Sequence, residues 1–298
     1  MLSTATHFAC PECNRSILKG SGLCKGCGHE FEAGDQKPCA LCLQFKPLRK
    51  SHAIPDACFR EISKGRQAIA VTDDGKYAKK TNDSWWIKQL CDDCETYLNK
   101  NYDAYSLARL RGGRGQKIQH NEYLTLQDVD FVKLYTFFLS VFWRAANSDN
   151  PAYRCVYIPQ PWNEQIREYV LGQNPDLIGI LKIATVRLSF LKDLREEKFL
   201  DDNCLSETIA EPFARLDEKN ERASFNFIMK GFFVEIFTPG LRLSERKTKG
   251  IIDLRCIENN KLDCSFVHPY DIPELAKTIF VGVRPGFKKS KKKSRLPK

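Results

Sequence analysis

The chain has 298 residues, of which 42% are hydrophobic and 28% charged. That balance excludes a wholly disordered chain and leaves room for one large domain or two to three small ones. The net charge is +10, but Arg284, Lys288, Lys289, Lys291, Lys292, Lys293, Arg295 and Lys298 all fall in the last fifteen residues, so a basic tail is attached to a nearly neutral body.

The longest apolar run, around Phe131–Trp143, is too short for a bilayer and contains Lys133, so no membrane span is expected. The first residues lack a basic stretch followed by an apolar core, so no signal peptide and a cytoplasmic location are expected. Eight of the thirteen cysteines form four C-x-x-C pairs: Cys10/Cys13, Cys24/Cys27, Cys39/Cys42 and Cys91/Cys94. In a reducing compartment such pairs read as zinc ligands, because two thiolates on one tight knuckle grip a tetrahedral ion. The remaining five, Cys58, Cys155, Cys204, Cys256 and Cys264, read as buried free thiols.

Residues 1–36 carry the first two pairs and few apolar side chains, which predicts a zinc ribbon folded by its metal. Pairing Cys24/Cys27 with Cys39/Cys42 is the alternative grouping. His29 follows the second pair, but four cysteines already complete a site, so it reads as a surface residue. Residues 37–110 open with Cys39-Ala-Leu-Cys42, continue through Ser51-His52-Ala-Ile-Pro55 and close with Cys91-Asp-Asp-Cys94-Glu95. The stretch after Cys94 is compatible with a helix, which places the last knuckle at a helix N-terminus, where the dipole favours thiolates. Trp85 and Trp86 read either as core packing or as base-stacking groups. The glycine-rich basic run Arg111–Lys117 reads as a hinge or as a nucleic-acid contact.

Residues 120–285 hold no metal pattern. Thr125-x-x-Asp128 suggests a capping box for a helix running to about Ala146. Its polar residues, Lys133, Thr136, Ser140, Arg144 and Asn147, form one narrow stripe on an otherwise apolar surface, the pattern of a central packed helix. A second helix fits Pro161–Leu171, and strands are predicted at Val186–Phe190, Phe232–Phe237, Ile251–Cys256 and Thr278–Val283. Helices and strands without regular alternation give an α+β class. Residues 286–298 are expected to be a disordered tail.

Phosphodiester hydrolysis needs a base for water and a cation for the charge of the transition state. His52 is the candidate base. Glu95 and Asn99, spaced i, i+4, share a helix face and are the candidate oxygen ligands for magnesium or manganese. The knuckles Cys39/Cys42 and Cys91/Cys94, with Ser51-His52-x-x-Pro55 between them, resemble the HNH (ββα-metal, treble-clef) endonuclease family. The closer likeness is to a bacterial subgroup with Ser-His-x-x-Pro and Cys-x-x-Cys-Glu motifs, and a stretch like Phe138–Arg144 also follows there. The family commonly has aspartate at position 51 and histidine at position 95, where this chain has Ser51 and Glu95. The resemblance implies an HNH-like domain with structural zinc, metal-dependent cleavage of nucleic acid, DNA as the favoured substrate and a part in defence against foreign DNA. A zinc-stabilised module that binds nucleic acid or protein without cleaving is the alternative, and the segment 120–285 is then a candidate surface for a protein partner.

One expectation concerns the tail. Removing residues 286–298 takes away up to seven cationic side chains, so nucleic-acid binding should weaken and its salt dependence should flatten, while the melting temperature stays put. Titration of a labelled oligonucleotide at several salt concentrations reads this, and an unchanged slope contradicts it.

Overall fold

A computed structural model describes residues 7–9, 16–18, 27, 37–63, 68–71, 78–81, 83–112, 116–198 and 200–283. The expected zinc ribbon lies almost wholly outside the described residues, which retain only β1 (His7–Ala9), β2 (Ser16–Leu18) and Cys27 of it. The tail 286–298 also lies outside them. The zinc-knuckle region then runs through β3 (Leu48–His52), α1 (Asp56–Ser63), a hairpin of β4 (Ala68–Val71) and β5 (Ala78–Thr81), β6 (Trp86–Cys91) and α2 (Asp92–Leu98). A π-helical turn, Asn99–Asp103, joins α2 to α3 (Ala104–Arg111).

The rest is a mixed α+β assembly: β7 (Lys117–Gln119), β8 (Tyr123–Gln127), α4 (Phe131–Ala146), α5 (Trp162–Val170), α6 (Leu177–Ile183), β9 (Thr185–Leu191), α7 (Asp202–Ser206), β10 (Ala210–Asp217), β11 (Arg222–Met229), β12 (Phe232–Thr238), β13 (Ile251–Ile252), α8 (Leu254–Asn259), β14 (Lys261–Val267) and α9 (Pro273–Val283). Its sheet has the order β10-β11-β12-β9-β14-β8-β7, with β13 also on β9. All pairings are antiparallel except β14 with β9. The inner strands β11 and β12 are buried along nearly their whole length, and the polar residues within them, Asn226 and Glu235, are bonded to Phe213 and Ser224 and to Arg187. Among the described residues no helix is long and apolar enough to cross a membrane.

Thirteen of the sixteen residues of α4 are buried, which makes it the central helix that the sequence predicts. Its start differs from the expected capping box. Thr125 and Leu126 belong to β8, Asp128 takes a left-handed turn at φ 56°, and Asp130 caps the helix by accepting from the Lys133 N–H. The helix at Trp162–Val170 and the strands at Thr185–Leu191 and Phe232–Thr238 fall where expected. Two expected strands are corrected. Ile251–Cys256 is strand only at Ile251–Ile252, because Asp253 accepts from Arg255 N and Cys256 N and so begins α8. Thr278–Val283 belongs to α9, where Pro273 supplies the N-terminal φ that a helix needs. Of the single cysteines, Cys58, Cys256 and Cys264 are buried, while Cys155 is half-buried and Cys204 exposed.

One hydrophobic core runs from Cys39 and Leu41 through α4 to Cys256, Leu262 and Cys264, so the knuckle region shares its interior with the sheet. Polar bonds tie the same seam. Arg167 donates to the Leu41 carbonyl at 2.5 Å, and Ile54 N–H donates to the Tyr153 hydroxyl at 3.3 Å. Arg144 of α4 makes a bidentate pair with Asp103 at 3.1 and 3.0 Å, and its side chain is 1% exposed. Burial pushes the Asp103 carboxyl pKa up and the guanidinium opposes that rise. Removing one partner strands the other charge in the core. Arg144→Met should therefore destabilise the protein by ~3–5 kcal/mol, and Arg144→Met with Asp103→Leu should recover most of that loss in urea unfolding.

Candidate functional site

Four of the sequence-predicted zinc ligands come together. The sulfurs of Cys39, Cys42, Cys91 and Cys94 all lie within 4.8 Å of one another, with Cys42 and Cys91 at 3.8 Å. Thiolates about 2.3 Å from a tetrahedral zinc stand about 3.8 Å apart, so the donor set and spacing fit zinc. Local backbone bonding produces this arrangement. Cys39 N–H donates to the Gln44 carbonyl and Leu43 N–H to the Cys39 carbonyl, both at 2.8 Å, and Leu43 takes φ 61° to close the knuckle. Cys91 ends β6 and is the N-cap of α2, which puts Cys94 in the first turn. The Cys91 N–H points at the Cys39 sulfur at 3.3 Å. The Cys94 thiol hydrogen-bonds to Cys39, and the Cys39 pKa falls to about 4 while that of Cys94 rises. Of the other expected set, Cys10, Cys13 and Cys24 lie outside the described residues, and Cys27 is exposed.

β3 and β6 form the hairpin that leads into this cluster. Their register skips one residue: Arg49 pairs with Leu90 and Lys50 with Lys88, so Gln89 is an extra residue in β6. The bulged residue is fully used. Its carbonyl accepts from Ala40 N–H at 3.1 Å, and its side-chain amide donates to the Arg144 carbonyl at 3.0 Å. Ser51 serves the same bulge, accepting from Leu90 N–H at 2.9 Å and donating to the Arg49 carbonyl at 3.3 Å.

His52 ends β3. Pro55 follows and its carbonyl accepts from Cys58 N–H as α1 begins, which carries Asp56 back beside the imidazole. His52 Nε2 is 2.9 Å from the Ser84 hydroxyl and 3.5 Å from Asp56 Oδ1. Arg60 pairs with the other oxygen of Asp56 at 3.0 Å. The His52 side chain is 15% exposed, and burial holds its pKa below the ordinary 6.5. Asp56 opposes that shift, while Arg144, Arg60 and Lys50 reinforce it. The ring is therefore neutral at neutral pH.

Glu95 and Asn99 have different surroundings. Glu95 is half-buried, its Oε1 has no hydrogen-bond partner, and burial raises its pKa against the pull of Arg144 and of the nearby Ser51 hydroxyl. Asn99 is exposed at the C-terminal end of α2. Among the described residues the four cysteines are the only group of three or more histidine, cysteine or acidic ligands that meets. A single carboxylate oxygen near a fixed guanidinium is not the oxygen-rich cage that magnesium or manganese requires, so the Glu95–Asn99 pair does not fit a hard cation. Asp56, Ser84 and Arg60 are the neighbours of His52 that the sequence did not point out. The spacing of Asp56, four residues after His52 and just past Pro55, is the signal that would have found the first of them.

No family model, no curated protein and no solved structure matches the chain.

Zinc at the four thiolates should be measurable directly. Cys91→Ser should lower the zinc content by about one ion per chain and abolish cooperative unfolding of the knuckle region, since metal binding and folding are one process in such a site. Elemental analysis and a melting curve check both, and a variant that keeps its zinc and its transition refutes the assignment.

Proposed function

We propose that the protein is a zinc-stabilised hydrolase of nucleic-acid phosphodiester bonds, built on an HNH-like hairpin and helix, with His52 as general base. The observation that carries this reading is the setting of His52: a neutral imidazole at the end of a zinc-pinned hairpin, held by Ser84 and faced by Asp56. In the proposed step His52 takes a proton from water as the water oxygen attacks phosphorus, and the ester oxygen on the opposite side leaves. Asp56 orients the ring and steadies the imidazolium that forms. Lys50 and Arg60, whose charges already act on the imidazole and whose side chains are exposed, would stabilise the developing negative charge. No step is routed through magnesium or manganese, because the donors at Glu95 and Asn99 do not form a cage. A role against foreign DNA is carried by the resemblance alone.

A second reading has one specific observation in its favour. The space between hairpin and α4 is filled by the Arg144–Asp103 pair, and both Ser51 and Gln89 are committed to backbone bonds there. A structural hairpin of a non-catalytic binding module has the same features.

Cleavage of plasmid and single-stranded substrates, with and without magnesium or manganese, separates the two. Under the hydrolase reading, His52→Ala lowers the rate by ~10²–10⁴-fold while zinc content and nucleic-acid affinity hold. The parent's kcat/KM should rise with pH along a limb whose midpoint lies below the ordinary histidine value of 6.5, because the base works only when deprotonated. Asp56→Asn removes the neighbour that raises this pKa, so the limb should move to still lower pH as the rate falls. A parent that cleaves neither substrate under any of these conditions leaves the binding module as the function.

A further inference from the structure

We infer that the outward face of the β3–β6 hairpin binds single-stranded nucleic acid, with the Trp86 indole as a stacking platform for one base. The inference deepens the proposed function by naming its substrate class, and it rests on that reading only for the cleavage step that comes after binding.

The register places the residues. His52 pairs with Trp86 and Lys50 with Lys88, whereas Ser51 pairs with Ile87 between them. Side chains of an antiparallel pair alternate faces, so Lys50, Lys88, His52 and Trp86 share one face and Ser51 turns to the other. The two adjacent tryptophans part company here. Trp85, at φ 56°, packs edge-on against Phe59 at 5.2 Å and Tyr153 at 6.0 Å. Trp86 is 41% exposed, and its only described ring partner is the Lys50 ammonium, 4.5 Å from the ring centroid. The indole is thus half open to solvent with a long-stemmed cation on one face.

The surroundings select the ligand. Lys50 is exposed, and Arg60 adds a side chain that is 74% exposed. Asp56, the acid nearest the imidazole, is already paired with Arg60. With Asp56 and Arg60 offsetting each other, Lys50 and Lys88 give the face its positive charge, and it carries one flat apolar surface, which matches a phosphate backbone with unpaired bases. A duplex keeps its bases stacked on one another and offers no free base face to a lone indole. With a base on Trp86, the phosphate next to it falls on the side of His52, the cross-strand neighbour of that tryptophan.

The test uses the full chain and fluorescently labelled oligothymidylate, with a duplex of the same length for comparison. Trp86→Ala should weaken single-strand binding about tenfold or more, the loss expected when one base loses its aromatic platform, and should leave duplex binding nearly unchanged. Trp86→Phe, which keeps a ring, should recover most of the affinity. Lys50→Ala should weaken binding and reduce the salt slope by about one phosphate contact. Zinc content and melting curves establish that each variant is folded, and Trp86→Phe with Lys50→Ala carry the test if Trp86→Ala is not. Folded variants that bind single strands like the parent overturn the inference, as does an equal loss on duplex. Failure of the hydrolase reading is distinct from this: a parent that binds through Trp86 but never cleaves leaves this surface standing. A parent that cleaves single strands with the same KM in Trp86→Ala retains the hydrolase and refutes the surface.

Discussion

Everything around His52 depends on the meeting of four thiolates. Cys42 and Cys91 are 49 residues apart in sequence and 3.8 Å apart in space. Closing a loop of that length costs chain entropy, which the burial of Leu48, Ile54, Cys58 and Leu90 between the two cysteines offsets in part. A metal ion held by the four sulfurs would add its binding free energy to folding. Because Cys91 is at once the end of β6 and the N-cap of α2, the cluster joins the hairpin, the knuckle and the helix at one point.

That local frame is then locked to the larger assembly by polar groups in its interior. Gln89, the extra residue of the bulge, bonds the knuckle with its carbonyl and α4 with its side chain. Arg144 reaches from α4 to Asp103, in the π-helical turn after α2. A π turn widens the helix by one residue, and here it ends on the aspartate that the buried guanidinium needs. These bonds bury polar groups that are expensive to leave unmatched, so they specify the docking of the knuckle region more sharply than apolar contact would. The same network leaves Glu95 with one unpartnered oxygen, which makes it the least satisfied carboxylate of the region.

The parts legible in the sequence are those with short-range signatures. Four cysteines in two pairs declared their site, and apolar periodicity declared α4 and the strands at Thr185–Leu191 and Phe232–Thr238. The errors came where local chemistry overrode a pattern. Ile251–Cys256 alternates like a strand until Asp253 caps a helix, and α4 starts after Asp130 because that residue, not the Thr-x-x-Asp pair, captures the first-turn N–H of Lys133. Long-range partners left no trace. Thr125 donates to Asp263 and His268 meets Asp193, and both contacts depend on sheet pairings between strands far apart in the chain. The surroundings of His52 were half readable: Asp56 by its spacing, Ser84 only once the hairpin is folded.

The hairpin divides its labour by face, and the one-residue bulge makes the division possible. On the inward side, Ser51 spends its hydroxyl on Leu90 N–H and has little left for a ligand. An aspartate at that position would place a second carboxylate beside Glu95 in a buried setting that already raises the pKa of the first. Two such charges are tolerable only with a cation between them, and Arg144 is paired with Asp103 instead. With serine there, the inward face needs no metal and serves packing. On the outward face His52, Lys50 and Trp86 stand together, and Arg60 arrives through Asp56. The commitment of Ser51 to the Leu90 N–H and the exposure of Trp86 are thus two consequences of one arrangement, in which the hairpin buries one face and opens the other to solvent.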